Sequence, residues 1–169
     1  MKLKFTLPHD QHPGVIASML KRSYAELLES DQEHWGPEVP KWEQFDREVF
    51  DYPDTVGSCV FLSWSNTDQL VGFGSYDPRQ KPEFGIVGHN CVLPEFRGRG
   101  FGKLQIQEIL RRLRAKGIRC AKVSTNDHPA FIPAQRMYVA CGFQETNRQP
   151  WANDASQKLI EYEMRLANN

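Results

Sequence analysis

The sequence predicts a mixed α/β fold in which helices flank a mixed sheet, and three observations support that class. Short segments alternate polar and apolar residues as strands do, and longer segments place apolar residues at helical spacing. The predicted order is strand, two helices, three strands, helix, strand, helix and two strands. Because the 169 residues contain no internal repeat or linker, we expect one domain over residues 1–169.

Four helices are predicted from apolar faces and from terminating residues. The first begins near Pro13, and the second covers residues 41–50. The third covers residues 101–116 and ends at Gly117, and the fourth covers residues 134–140. Their inward-facing residues are Ile16, Met19, Leu20, Ser23, Leu27, Trp42, Phe45, Val49, Ile106, Ile109, Leu110 and Leu113.

Seven strands are predicted from alternating or continuously apolar runs that turn residues separate. Residues 66–68 form a hairpin turn between two of them. The predicted strands cover residues 2–7, 58–65, 69–76, 84–93, 118–125, 142–146 and 159–166.

The charge balance limits the partners that this chain can have. Lys and Arg together number 21, and so do Asp and Glu, which argues against nucleic acid as the main partner. No apolar run approaches the roughly 18 residues of a membrane span, so we expect no membrane partner. The neutral total hides a basic segment over residues 97–122 and an acidic segment over residues 26–54.

The cysteines indicate a reducing compartment. The four residues contain no Cys-x-x-Cys pair, and their gaps do not suit a zinc site or a disulfide framework. We therefore expect buried reduced thiols, no metal and a cytoplasmic location. The cysteines are Cys59, Cys91, Cys120 and Cys141.

The segment Cys91–Lys103 carries the clearest chemical pattern. A strand enters a turn rich in glycine and arginine, and a helix leaves it, which predicts an anion site for a phosphate or pyrophosphate. The turn is not a Walker A loop, because Arg97 and Leu104 stand where glycine and Ser or Thr are required. Lys103 likewise breaks the dinucleotide-binding pattern.

Two segments resemble the conserved motifs of the GNAT N-acetyltransferase superfamily. Arg97, Gly100 and Gly102 match the first motif, Arg/Gln-x-x-Gly-x-Gly/Ala, with Pro94 in its usual place upstream. Residues 134–143 resemble the second motif, in which a helix carries a tyrosine, here Tyr138, and ends at Gly-Phe. The order of elements also resembles that family, which implies a mostly antiparallel sheet over nearly the whole chain.

The resemblance implies acetyl transfer from acetyl-coenzyme A to a primary amine, by direct transfer in a ternary complex. It places the pyrophosphate on the backbone amides of the turn and the pantetheine arm along the strand before it, where a backbone N–H can polarise the thioester carbonyl. Asn126 corresponds to a polar residue that contacts the cofactor in many relatives. The implied cofactor-binding residues are Cys91, Val92, Leu93, Arg97, Gly98, Arg99, Gly100, Phe101, Gly102, Lys103 and Asn126.

Tyr138 matches the general acid of the family, which stabilises or protonates the thiolate leaving group. The general base is open, because Ile86 stands where many relatives have a glutamate. Glu83, His89 and His128 are candidates, and a chain of waters is the alternative. We expect Cys91 to be a packed residue rather than a nucleophile, although predicted strand alternation puts it on one face with His89.

In members of this family, the first two helices and the segment between them usually form the wall of the acceptor site. The ten acidic residues of the segment 26–54, together with aromatic residues in and beside it, suit a cationic amine, although they also suit a solvated helix face and a packed core. The aromatic residues are Tyr24, Trp35, Trp42 and Phe45. Three alternatives stay open: a non-catalytic sensor of acyl-coenzyme A, a transferase for another acyl group, and a nucleic-acid binder. We expect a small-molecule or peptide amine as the acceptor, and a monomer or a homodimer.

Overall fold

The computed structural model describes residues 2–167 of the chain. Contacts between Cα atoms divide these residues into two compact units. The first contains the residues up to Ser75 together with His89–Phe101, and the second contains Tyr76–Gly88 and the residues from Gly102 onward. The single domain over residues 1–169 stays a prediction, and its end residues Met1, Asn168 and Asn169 lie outside the described residues.

The mixed α/β class is confirmed, with helices flanking mostly antiparallel strands. The strands are β1 Lys4–Thr6, β2 Val60–Trp64, β3 Leu70–Asp77, β4 Gly85–Val87, β5 Cys91–Val92, β6 Cys120–Asn126, β7 Gln144–Pro150 and β8 Lys158–Arg165. The helices are α1 Val15–Ser23, α2 Ala25–Ser30, α3 Gln32–Trp35, α4 Glu38–Asp51, α5 Phe101–Ala115 and α6 Ile132–Ala140.

The first unit is built on antiparallel pairs, β1 with β2, β2 with β3 and β3 with β5. Their alternating residues bury Phe61, Leu62 and Phe73 completely. The apolar face predicted for α1 is also buried, with Ile16 and Leu20 at 0% exposure. Burial of this size supplies most of the stabilising free energy of such a unit.

The helical part of the first unit differs from the prediction. The first predicted helix is divided at Tyr24 into α1 and α2, and a short helix that was not predicted, α3, precedes α4. Helix α4 begins at Glu38, earlier than predicted, and contains Pro40 in its first turn. Proline is tolerated there because a first-turn N–H has no intrahelical acceptor.

The predicted continuous strand over residues 84–93 is wrong. It consists of β4 and β5 with residues 88–90 between them, and its pairing with β3 shifts by one residue from Tyr76↔Val87 to Phe73↔Cys91. The inserted residue makes a bulge. As a result, His89 and Cys91 do not share one face of a strand.

The second unit joins the last residues of β3 to β4, then β6, β8 and β7. The pairing of β4 with β6 is parallel and the other pairings in this unit are antiparallel. Gly85 allows α5 to pack closely, because a Cβ there would lie 2.6 Å from Leu113 and 3.1 Å from Ile118. Among the described helices, none has the length and apolar character that a membrane span requires.

Candidate active site

The turn that follows β5 has the backbone geometry of an anion site. Gly98 and Gly100 take φ angles of +73° and +77°, a left-handed conformation that side chains disfavour. Apart from the adjacent residues, no heavy atom of residues 2–167 lies within 4 Å of the position that a Cβ would occupy on either glycine, so the turn is open to a ligand. Helix α5 begins at Phe101, and the N–H groups of its first turn lack intrahelical acceptors. These features fit a pyrophosphate.

The Arg97 side chain links this turn to other residues of the first unit. Its Nη2 donates to the Ser23 carbonyl oxygen at 2.6 Å, and its Nε donates to the Val92 carbonyl oxygen at 3.2 Å. Sequence patterns did not indicate Ser23 as a partner of Arg97, because the contact joins residues 74 positions apart. The Arg99 guanidinium lies 5.7 Å from the Phe96 ring centroid, and Arg99 is exposed. Arg99 therefore supplies positive charge at the surface of the turn.

The strand before the turn carries Cys91, which is 7% exposed, and Leu93, which is 2% exposed. Desolvation by burial raises the pKa of the Cys91 thiol to about 11, against smaller opposing effects of the Ser23 hydroxyl, the Phe73 backbone and nearby arginines. The thiol is protonated at neutral pH and is a poor nucleophile. This arrangement supports the expectation that Cys91 is a packed residue.

His89 lies in the bulge between β4 and β5. Ser75 Oγ donates to its carbonyl oxygen at 2.6 Å, and its ring centroid lies 5.0 Å from that of Phe45. The residue is exposed, yet enough protein surrounds the ring that desolvation lowers the His89 pKa from its ordinary value of 6.5. Glu38 opposes this shift, and Lys41 adds to it. The ring is therefore neutral at pH 7 and able to accept a proton.

Tyr24, just before the acidic segment, stacks with two tryptophans of that segment. The Tyr24 ring lies 5.0 Å from that of Trp42 and 5.9 Å from that of Trp35, with interplanar angles of 19° and 14°. Trp42 is 2% exposed and Trp35 is 5% exposed, so these two are core residues. Of these three rings, that of Tyr24 is half-buried and able to meet a ligand with part of its surface.

Several acidic residues of the same segment are engaged within the chain. Asp46 is 4% exposed, and its carboxylate accepts hydrogen bonds from the amides of Gly14, Ile16 and Ala17 at 2.7, 2.9 and 3.0 Å. It therefore caps the start of α1 and is not available to an acceptor. Glu43 pairs with Lys21 at 2.6 Å.

In the second unit, Tyr138 projects from α6 into an aromatic cluster. It is 4% exposed, and its ring centroid lies 5.9 Å from those of both Phe143 and Tyr162. Gly142, with φ +100°, ends the helix and lets the chain turn into β7. Sequence patterns did not single out Tyr162, because nothing in its own strand indicates the contact with α6.

Asn126 lies at the carboxyl end of β6 and is 4% exposed. Its Oδ1 accepts a hydrogen bond from the His128 amide at 2.7 Å, and Gln135 Nε2 donates to its carbonyl oxygen at 3.1 Å. Its Nδ2 is buried, with no hydrogen-bond partner among residues 2–167. His128 Nδ1 accepts from the Ala130 amide at 3.1 Å, which engages this ring in the turn. Asn126 thus keeps a buried donor for a ligand.

Glu83 lies before the amino end of β4, next to the start of β6, since Gly85 pairs with Ala121. Asn126 lies at the carboxyl end of β6. At the rise of a β-strand, its backbone is therefore roughly 20 Å from that of Glu83. Glu83 lines an open groove of about 970 Å³ together with Arg119 and Lys122. The second unit therefore does not bring Glu83 near Asn126.

The fold and the glycine turn are those of acyltransferases that bind an acyl-coenzyme A, and a comparison of sequences supports this class. The family profile described as the acetyltransferase (GNAT) family matches residues 21–143. The chain therefore belongs to the GNAT acetyltransferase family. A comparison with curated proteins gave no significant match.

Solved structures have the same fold. A protein from Desulfovibrio desulfuricans assigned to the GNAT family is 17% identical, over 98% of this chain and 100% of its own, with a TM-score of 0.72. A Bacillus subtilis acetyltransferase in complex with coenzyme A is 12% identical, over 98% of this chain and 100% of its own, with a TM-score of 0.63. A Bacillus anthracis protein assigned as a streptothricin acetyltransferase, in complex with acetyl-coenzyme A, is 15% identical. The match covers 64% of this chain and 62% of that protein, with a TM-score of 0.56.

Proposed function

We propose that this protein is an N-acetyltransferase that moves an acetyl group from acetyl-coenzyme A to a primary amine, directly and in a ternary complex. The observation that carries the proposal is the turn at Gly98 and Gly100, whose left-handed backbone and open surface fit a pyrophosphate next to the first turn of α5. The remaining cofactor residues that the family resemblance implies keep the roles given above, and Asn126 offers its Nδ2 as a donor.

The proposed reaction forms one C–N bond and breaks one C–S bond. The amine lone pair attacks the thioester carbonyl carbon, the thiolate leaves, and the amine loses one proton. Amines have pKa values near about 10.4 and arrive mostly protonated, so a base is required. We assign this role to His89, because its ring is neutral at pH 7 and accessible. Tyr138 donates a proton or a hydrogen bond to the leaving sulfur.

Binding of acetyl-coenzyme A tests the cofactor half of the proposal. Millimolar acetyl-coenzyme A is expected to raise the Tm of the wild-type protein, because a ligand that binds only the folded state stabilises it. A Gly100→Val variant is expected to lose this rise, since a β-branched side chain is strained at φ +77° and occupies the open surface. The matched control is Gly117→Val, a glycine with φ +73° at the other end of α5, which is expected to keep the rise. An unchanged Tm of the wild-type protein at millimolar cofactor contradicts the proposal.

A further inference from the structure

The bulge at residues 88–90 interrupts the pairing with β3 at the residue to which we assign the role of base. Before the bulge, Val87 pairs with Tyr76, and after it Cys91 pairs with Phe73, so three residues of the bulge face two residues of β3. An extra residue disrupts the ladder of backbone hydrogen bonds. Backbone groups within the bulge therefore need hydrogen-bond partners from outside the ladder.

Ser75 of β3 supplies such a partner through its side chain. Its hydroxyl donates to the His89 carbonyl oxygen at 2.6 Å, which lies within the range of O–H···O hydrogen bonds. Ser75 is 2% exposed, so water competes little for this contact. The backbone of Ser75 is itself held by β2, because Ser75 pairs with Val60. The His89 carbonyl group is therefore tied to a strand that lies inside the sheet.

The His89 ring is restrained by a second contact. The ring centroid of Phe45, on α4, lies 5.0 Å from that of His89, with an interplanar angle of 53°. The Phe45 ring also packs near Phe73 of β3, at a centroid distance of 6.5 Å. Ser75 thus fixes the backbone of His89 while Phe45 packs against its ring, so a displaced backbone moves the ring out of this packing.

Two charged groups of α4 act on the same ring. Glu38 favours the protonated form of His89 and Lys41 opposes it, and these two side chains form an ion pair at 2.7 Å. Desolvation by burial is the largest effect, and it lowers the His89 pKa. Ser75, the contact from β3, carries no charge. The His89 pKa therefore reports how closely the protein surrounds the ring.

We propose that Ser75 is a positioning residue, whose hydroxyl fixes the bulge so that the His89 ring is held in place to accept the proton of the acceptor amine. A misplacement of about 1 Å can lower a catalytic rate about 100-fold. The catalytic consequence rests on the proposed function, in which His89 is the base. The structural link between Ser75 and the His89 ring does not.

The test combines an NMR titration of the His89 ring with steady-state kinetics. The His89 signals are identified by their loss in His89→Gln. In Ser75→Ala, the His89 pKa is expected to rise toward 6.5, because a loosened bulge exposes the ring to water. The kcat is expected to fall about tenfold, with the KM for acetyl-coenzyme A changed by less than about twofold. The acidic limb of the pH–rate profile is expected to move with the pKa.

Three further variants separate the hydroxyl from the packing of the side chain. Ser75→Thr keeps the hydroxyl and is expected to give the wild-type pKa and kcat. Ser75→Cys keeps a side chain of similar shape but is a weak donor, so it is expected to behave as Ser75→Ala does. Ser63→Ala is the matched control, because it removes a fully buried serine hydroxyl from β2, opposite Gly72 rather than the bulge. It is expected to leave the His89 pKa unchanged.

The inference is overturned if folded Ser75→Ala and Ser75→Cys keep the wild-type His89 titration, or if Ser75→Thr is as impaired as Ser75→Ala. The same holds if the His89 pKa moves and kcat does not. Amine-dependent thiol release with a His89 titration that ignores Ser75 removes this inference alone. A His89 pKa that depends on Ser75, without thiol release from any amine, removes the transferase proposal alone.

Discussion

The Arg97 guanidinium donates a hydrogen bond to the Ser23 carbonyl oxygen at 2.6 Å, so a cation of the glycine turn is held by the end of α1. Arg97→Ala is expected to lower the stability by about 1 kcal/mol, because the contacts are exposed. It is also expected to weaken acetyl-coenzyme A binding, since the turn loses its anchor. Urea unfolding and cofactor titration measure the two effects. Arg99→Ala, the control, is expected to leave the stability within about 0.5 kcal/mol.

Asp46 is expected to be the acidic residue of the 26–54 segment on which folding depends most. Asp46→Ala removes the acceptor of three amide hydrogen bonds at the start of α1 and is expected to cost about 2–4 kcal/mol. Asp51→Ala, at the exposed end of α4, is expected to cost less than about 0.5 kcal/mol. Equal urea midpoints for the two variants would contradict the assignment of Asp46 as a cap.

The pH dependence of turnover tests His89 as the base. Desolvation lowers the His89 pKa below 6.5, and the base form is the neutral ring. Turnover is therefore expected above the His89 pKa and is lost as the pH falls through that pKa. The pH–rate profile thus has an acidic limb below pH 6.5. His89→Gln is expected to lower kcat about 100-fold and to remove this limb. If the acidic limb of the pH–rate profile persists in His89→Gln, His89 is not the base, and His128→Gln is then the next variant to measure.

Tyr138→Phe tests the general acid. The hydroxyl is lost while the ring stays packed against Phe143 and Tyr162, so kcat is expected to fall about 100-fold with little change in acetyl-coenzyme A affinity. Tyr162→Phe, which removes a hydroxyl from an equally buried ring, is expected to change kcat by less than about threefold. An unchanged kcat in Tyr138→Phe removes the acid role.

Cys91 is expected to be chemically inert. Because burial raises its thiol pKa to about 11, an alkylating reagent at pH 8 is expected to leave Cys91 unmodified in the folded protein. Mass spectrometry of digested peptides measures this, and the unfolded protein, in which Cys91 reacts, is the control. A Cys91→Ala variant is expected to keep turnover. Loss of all turnover in a folded Cys91→Ala variant would point instead to an acyl-cysteine.

The parts of the fold that sequence predicts are those that local patterns determine. The spacing of Ile106, Ile109, Leu110 and Leu113 predicts the buried face of α5, and all four are at most 3% exposed. The interruption at residues 88–90 was not predictable, because a bulge arises from the register against a neighbouring strand. Alternation within one strand contains no information about that register.

The same distinction applies to the candidate site. Glycine and arginine in one turn predict an anion site, because the backbone freedom and the charge are properties of adjacent residues. Asp46 was counted with residues that suit an acceptor, whereas it caps a helix some 30 positions earlier in the chain. The Arg97 contact with Ser23 spans 74 positions in the same way. Contacts of this kind depend on tertiary packing.

Amine-dependent release of coenzyme A thiol from acetyl-coenzyme A tests the central proposal most directly. The wild-type protein, given a panel of primary amines, is expected to release thiol in step with the appearance of an N-acetylated amine, detected by mass spectrometry. Binding of acetyl-coenzyme A with no amine-dependent thiol release would contradict the account and favour a sensor of acyl-coenzyme A.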